Sequence, residues 1–253
     1  MSTHIIGDTA ALTGRSLRHI TRSVDTIVTT AVMPVAIMLL FVFVFGGAID
    51  TGSSSYVNYM LPGILLITVA SGVAYTAYRL FLDLQSGIFE RFQSMPIARS
   101  SMLWAHVLTS LVANLVSLVI VVGVALLMGF RSTAGVGAWL GVTGVLVLFT
   151  LALTWIAVIA GLTATSVEGA SAFSYPLIFL PFISSAFAPT DTMPGPVRWF
   201  AENQPVTSIV NAIRNLFAGL PVGSDLWIAL AWCAALLVGA YAVAILTYRR
   251  RTS

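Results

Sequence analysis

The sequence predicts an all-α membrane protein, a single transmembrane domain over residues 1–253 with six transmembrane helices. Three observations predict it. Hydrophobic residues make up 58% of the chain and charged residues only 8%, against roughly 25% charged in ordinary soluble domains. A soluble fold this poor in charge could not cover its surface. The apolar residues also gather in runs near the roughly 20 that a membrane helix needs. The basic residues, all of them Arg, fall mostly in the connections between those runs.

The first element is a basic amphipathic helix over residues 8–24. Arg15, Arg18 and Arg22 share one side, while Leu17, Ile20 and Val24 share the opposite one. Such a helix before a first span is expected in the membrane surface, with its Arg face toward anionic head groups. The alternative is a solvated helix packed on the bundle, in the same place. The first 25 residues do not read as a signal peptide, because they hold three Arg and no short apolar core.

The six spans fall at about 26–48, 59–81, 102–128, 138–164, 172–188 and 225–247. Pro34, Pro62, Pro176 and Pro181 lie inside them. Each removes a backbone hydrogen bond and predicts a kink or a hinge. Nine Arg (15, 18, 22, 79, 91, 99 and 249–251) fall on one side of the membrane and three (131, 198, 214) on the other. By the positive-inside rule both termini are cytoplasmic. The predicted setting is the plasma (inner) membrane, with multiple crossings.

Between the second and third spans lies the segment DLQSGIFERFQSMPIARS, Asp83 to Ser100. Its four charges would cost on the order of 10 kcal/mol inside a bilayer, so it is expected in the cytoplasm. Phe89 and Phe92 interleave with Glu90 and Arg91, a mixture that suits docking on another protein better than a solvated loop. The connection at 189–224 is too long for a structureless loop. It is expected to form an outer hairpin of short helices, one of them from about Thr207 to Gly219. Ile209, Ile213, Leu216 and Leu220 give that helix its apolar stripe.

Chemistry is sparse. Without lysine the chain has no GxxxxGK[S/T] loop to hold nucleotide phosphates, and no metal pattern is present, so no cofactor is expected on it. Six spans and GASA at Gly169–Ala172 also suggest an intramembrane serine protease, but no histidine follows His106 to serve as base. Cys233 has no partner and reads as a packing residue. The net charge of +3 gives no footprint for nucleic acid. The main polar groups within the spans are Thr68, Ser71, Tyr75, Asn114 and Ser117. Ser71, Tyr75 and Asn114, with Phe182 and Ser185, are the candidate substrate path. A stand-alone secondary carrier or channel is the alternative reading, though such carriers usually place an ionisable group near the midplane.

Four stretches carry a family resemblance: YMLPGI at Tyr59–Ile64, the segment at Asp83–Ser100, FAPTDTMPG at Phe187–Gly195, and ENQPVTSIVNAIRNL at Glu202–Leu216. With them the chain resembles the ABC type-2 exporter permeases, in the daunorubicin-resistance branch. In the third span it departs from them, with Ala105, His106 and Ser110 where the family often has Gly-Arg and a later Asp. The resemblance implies the membrane subunit of an exporter for a drug, lipid or glycolipid. It would pair with a second permease copy or sister permease, in contact with membrane lipids, and bind two copies of a cytoplasmic ABC ATPase that carry the ATP and Mg. It also implies that 83–101 is the coupling segment, with Asp83, Gly87, Arg91, Pro96 and Arg99 on the recurrent positions. Phe89 and Phe92 would anchor in the ATPase, with Glu90 and Arg91 fixing register.

Overall fold

The structure, a computed structural model, describes residue 13 and residues 24–46, 55–86 and 101–252. Every regular element among them is helical: α1 (Val24–Leu40, prolonged by a π turn Phe41–Phe45), α2 (Tyr56–Gln85), α3 (Ser101–Leu127), α4 (Val136–Thr163), α5 (Val167–Ala172), α6 (Ser174–Phe179), α7 (Gly195–Asn203), α8 (Pro205–Phe217) and α9 (Asp225–Thr252). Short 3₁₀ turns follow at Leu180–Ile183 and Thr190–Thr192. The surface helix expected at 8–24 lies outside the described residues apart from residues 13 and 24.

Four helices, α2, α3, α4 and α9, are long and apolar enough to cross a membrane. They occupy the predicted second, third, fourth and sixth segments. The apolar helix of the first segment runs Thr30–Phe45 and is shorter. α2 sits at the centre and packs against α1, α3, α4, α5, α6 and α8. Met60, Leu61, Ile64, Leu65, Val69, Val73 and Ala77 on it are all fully or almost fully buried. At about 1.5 Å per residue its 30 residues reach about 45 Å, more than the roughly 30 Å of a hydrocarbon core. α3 and α9 lie at the rim and expose Val119, Trp227 and Val238.

The fifth segment differs from the single helix expected at 172–188. Helix begins at Val167 and is cut into α5, α6 and a 3₁₀ turn. The prolines explain both cuts. Pro176 has no N–H for the carbonyl of Ala172, where α5 ends, and Pro181 has none for that of Leu177, so α6 tightens into the 3₁₀ turn. In the following connection, the helix expected from Thr207 instead starts at Pro205, because proline suits the first helical position. It ends at Phe217, and beyond it Gly219, with φ of +65, lets Leu220 N–H reach Asn215 C=O at 2.9 Å. Leu220 therefore leaves the apolar stripe and is exposed, and Val206, Val210 and Phe217 join Ile209 and Ile213 in the core.

Small residues let the helices touch. A Cβ on Gly161 of α4 would lie 2.9 Å from the carbonyl oxygen of Ala77, and one on Gly63 of α2 would lie 2.5 Å from Ala186 Cβ. Association inside a bilayer depends on such close approach. Gly63→Ala is therefore expected to destabilise the purified protein by about 1–3 kcal/mol, read as a lower thermal midpoint. A Cβ on Gly144 would meet nothing within 4 Å, so Gly144→Ala is expected to be neutral or slightly stabilising.

Candidate functional site

Two polar clusters interrupt the apolar bundle. The first surrounds the broken fifth segment. Breaking a helix frees backbone carbonyls, and side chains from α2, α8 and the residue before α8 answer them here. Arg214 on α8 donates to the Ser185 carbonyl at 2.6 Å, the Tyr59 carbonyl at 3.2 Å and Asn211 Oδ1 at 3.0 Å. Its guanidinium also lies 3.8 Å from the centroid of the Tyr59 ring. Gln204 donates to the carbonyls of Leu180 and Ile183. Tyr56 donates to the Phe187 carbonyl at 3.0 Å. Ser185 donates to Asn211 Oδ1 at 2.7 Å. Phe182 stacks on Phe187 with ring centroids 4.8 Å apart.

The second cluster runs along the contact of α2 with α3. Thr76 donates to Ser110 Oγ at 2.7 Å, and Ser110 lies 3.5 Å from Thr154 of α4. Asn114 donates its amide to the Ser110 carbonyl at 2.9 Å. Only an N–H can meet a carbonyl, so Asn114 Oδ1 faces away from that carbonyl and has no partner. It is pressed against Gly72, where a Cβ would come within 2.1 Å of it. Ser71 Oγ is also buried without a partner. Beside this seam a cavity of about 40 Å³ opens between α1, α2 and α3, reached by Thr30, Tyr75, Arg79, His106 and Thr109.

The seam ends at Asp83, in the last turn of α2, whose carboxylate lies 3.2 Å from His106 Nε2 on α3. The sequence left His106 with no assigned task, and the structure pairs it with the first residue of the segment expected to face the cytoplasm. Gly87, Phe89, Glu90, Arg91, Phe92, Pro96 and Arg99 of that segment lie outside the described residues, as do Arg15, Arg18 and Arg22. The segment connects the end of α2 to the start of α3.

The five candidate path residues do not form one set. Tyr75 and Asn114 line the cavity at the α2–α3 seam and Ser71 lies one turn from Tyr75 on α2, whereas Phe182 and Ser185 belong to the Arg214 cluster. Along α2 the two levels, Gly63 and Tyr75, are about 18 Å apart. Arg214, counted from sequence as an outer loop charge, is instead a bonded interior cation. The signal that could have located it was the sharing of its cluster by three separate motifs: Tyr59 and Gly63, Phe187, and Gln204, Asn211 and Arg214. On the α7 surface Arg198 meets Asp191 at 2.7 Å and Glu202 at 2.7 Å. The hydrogen bond it donates to Glu202, then the charges of Glu202 and Asp191, hold its guanidinium above its ordinary pKa. Ser171 of the GASA stretch donates to carbonyls of its own helix, those of Val167 and Glu168.

Residues 8–218 match the family model described as ABC-2 type transporter. Among curated proteins the chain is similar to the daunorubicin resistance ABC transporter permease protein DrrB1 of Streptomyces coeruleorubidus, 32% identical over 74% of this chain and 66% of the relative. It is also similar to the probable doxorubicin resistance ABC transporter permease protein DrrC of Mycobacterium tuberculosis, 25% identical over 98% of this chain and 90% of the relative. The putative transport permease ycf38 of Porphyra purpurea is 24% identical over 86% of this chain and 76% of the relative.

Arg214→Ala is expected to destabilise the protein by about 3 kcal/mol, since it takes a charged donor from the Ser185 and Tyr59 carbonyls at once and leaves Asn211 Oδ1 with Ser185 alone. Thermal unfolding of the purified protein and faster proteolysis within 184–195 are the measurements. Arg214→Lys keeps the charge but loses the planar fork, and is expected to recover only part of the loss.

Proposed function

The chain belongs to the ABC-2 type transporter family, and on that premise we propose that it is the transmembrane permease subunit of an ATP-driven exporter of a hydrophobic or amphipathic substrate. It is an integral membrane protein. In this reading the chain crosses the inner membrane six times, with the first and the broken fifth segments completing the four long helices. Both termini face the cytoplasm, and the α7–α8 hairpin lies outside. Two ABC ATPase subunits bind ATP and Mg for it, and a second permease copy or a sister permease completes the path. The relatives are named for daunorubicin and doxorubicin resistance, which favours a drug or another amphiphile as cargo.

One observation carries the reading. α2 runs unbroken from Tyr56 to Gln85. At one end it leads through Asp83 into the cytoplasmic segment, and at the other the Arg214 cluster grips it. Motion imposed on 83–101 by closing ATPase subunits would thus reach the broken segment as a shift of a stiff rod. Such a bundle has two packings, and the nucleotide state of the ATPase biases the choice between them. Asp83, Gly87, Phe89, Glu90, Arg91, Phe92, Pro96 and Arg99 form the coupling surface, and Arg15, Arg18 and Arg22 hold the N-terminal helix to the membrane. Ser71, Tyr75 and Asn114 form the inner part of the path, and Phe182 and Ser185 the outer part.

Co-reconstitution with an ABC ATPase partner tests this. Arg91→Ala with Phe92→Ala is expected to lower substrate efflux by about tenfold or more, the size of a lost pair of interface anchors, with membrane insertion unchanged. Wild-type efflux from that variant would remove the segment from the mechanism. Efflux driven by an ion gradient in vesicles that lack any ATPase would replace the exporter with a secondary carrier.

A further inference from the structure

Arg79 stands apart from the other arginines. Arg131 donates to the carbonyls of Leu126 and Phe130, Arg198 meets two carboxylates, and Arg214 holds three acceptors. Arg249 and Arg250 also have partners. Among the described residues Arg79 has no hydrogen-bond acceptor and no carboxylate, only the Tyr75 ring, 5.8 Å from its guanidinium carbon. It nevertheless lies inside α2, a helix long and apolar enough to cross a membrane, and lines the cavity between α1, α2 and α3. A cation so placed calls for a counter-charge. Asp83, one turn further on, is held by His106.

The rest of the cavity matches an anion. Thr109 is 6% exposed, and its hydroxyl is buried on the cavity wall with no partner. The volume of about 40 Å³ holds about three waters, enough for one small oxyanion and too little for a whole amphiphile. Outside the cavity, α3 exposes Val112, Val116 and Val119 at successive turns. We propose that this cavity binds the phosphate or carboxylate of an anionic amphiphile. Arg79 is the charge partner, Thr109 a second donor, and the Val112–Val116–Val119 stripe a track for an acyl chain. The site requires only that the chain be a membrane protein, so it stands whether or not the exporter reading does.

The test uses the purified full-length chain in a neutral detergent and titrates phosphatidylglycerol, phosphatidylcholine or inorganic phosphate, with bound lipid read by native mass spectrometry and stability by thermal midpoint. Phosphatidylglycerol is expected to bind about tenfold or more tighter than phosphatidylcholine, the size of one charge-assisted hydrogen bond. Arg79→Gln is expected to abolish that preference, Arg79→Lys to keep part of it, and Thr109→Val to weaken it severalfold. Displacement by millimolar inorganic phosphate would assign the site to free phosphate. Failure to displace would assign it to the lipid head group, and both support an oxyanion site. Equal binding of the two lipids by wild type, or an unchanged preference in Arg79→Gln, overturns the proposal. Should Arg79→Gln not purify, the wild-type comparison and Thr109→Val decide it.

Discussion

A carbonyl without a partner inside a bilayer is the constraint on which the rest of this structure depends. Hydrocarbon offers no hydrogen bonds, so irregular backbone survives at membrane depth only where protein groups answer it. Pro176 and Pro181 make the fifth segment irregular, and where its helical run ends Gln204, Arg214 and Tyr56 answer the carbonyls of Leu180, Ile183, Ser185 and Phe187. That necessity fixes much else. α8 must fold back far enough to bring Arg214 beside Ser185 and Tyr59. α2 must present Gly63, because a larger residue would hold Ala186 away. The three motifs at 59–64, 187–195 and 202–216 are thus parts of one joint.

The second cluster follows a different economy. Thr68, Thr150 and Thr154 return their hydroxyls to the carbonyl one turn back in their own helices, which makes a hydroxyl inexpensive in an apolar bundle. Asn114 cannot do this with both ends of its amide, and Ser71 and Thr109 do not do it at all. Unsatisfied groups of this kind are rare and costly. Ser71, Thr109 and Asn114 all lie on α2 and α3, and Gln204 Oε1 in the first cluster is left the same way.

Much of this was legible in the sequence, for physical reasons. Long apolar runs force helices in a bilayer, so α2, α3, α4 and α9 could be read from hydropathy, and the apolar stripe of Ile209 and Ile213 revealed α8, though its start at Pro205 was placed at Thr207. The fifth segment was read as one kinked helix, because Pro176 and Pro181 signal the loss of two N–H donors 5 residues apart but not whether the helix bends there or breaks. Leu220 was misplaced because the left-handed turn at Gly219 ends the helix before it. The site was less legible still. Pattern reading treats an arginine in a connection as a topological charge, and the chain contact that buries Arg214 against Tyr59 spans 155 residues. His106 likewise has no local signal, since its partner Asp83 lies across a connection on another helix.

These relocations bear on the orientation we propose. The sequence count set nine arginines against three. Arg214 leaves the outer total, because it is spent on interior carbonyls and was never a loop charge. Arg79 leaves the inner total, because it lines the cavity between α1, α2 and α3. Eight then stand against two, and the two that remain, Arg131 and Arg198, are both engaged, one by backbone carbonyls and the other by Asp191 and Glu202. The bias that the positive-inside rule reads is one of charges in loops near the ends of spans. With those two arginines set aside the count keeps its sign, and the proposed orientation rests on that sign.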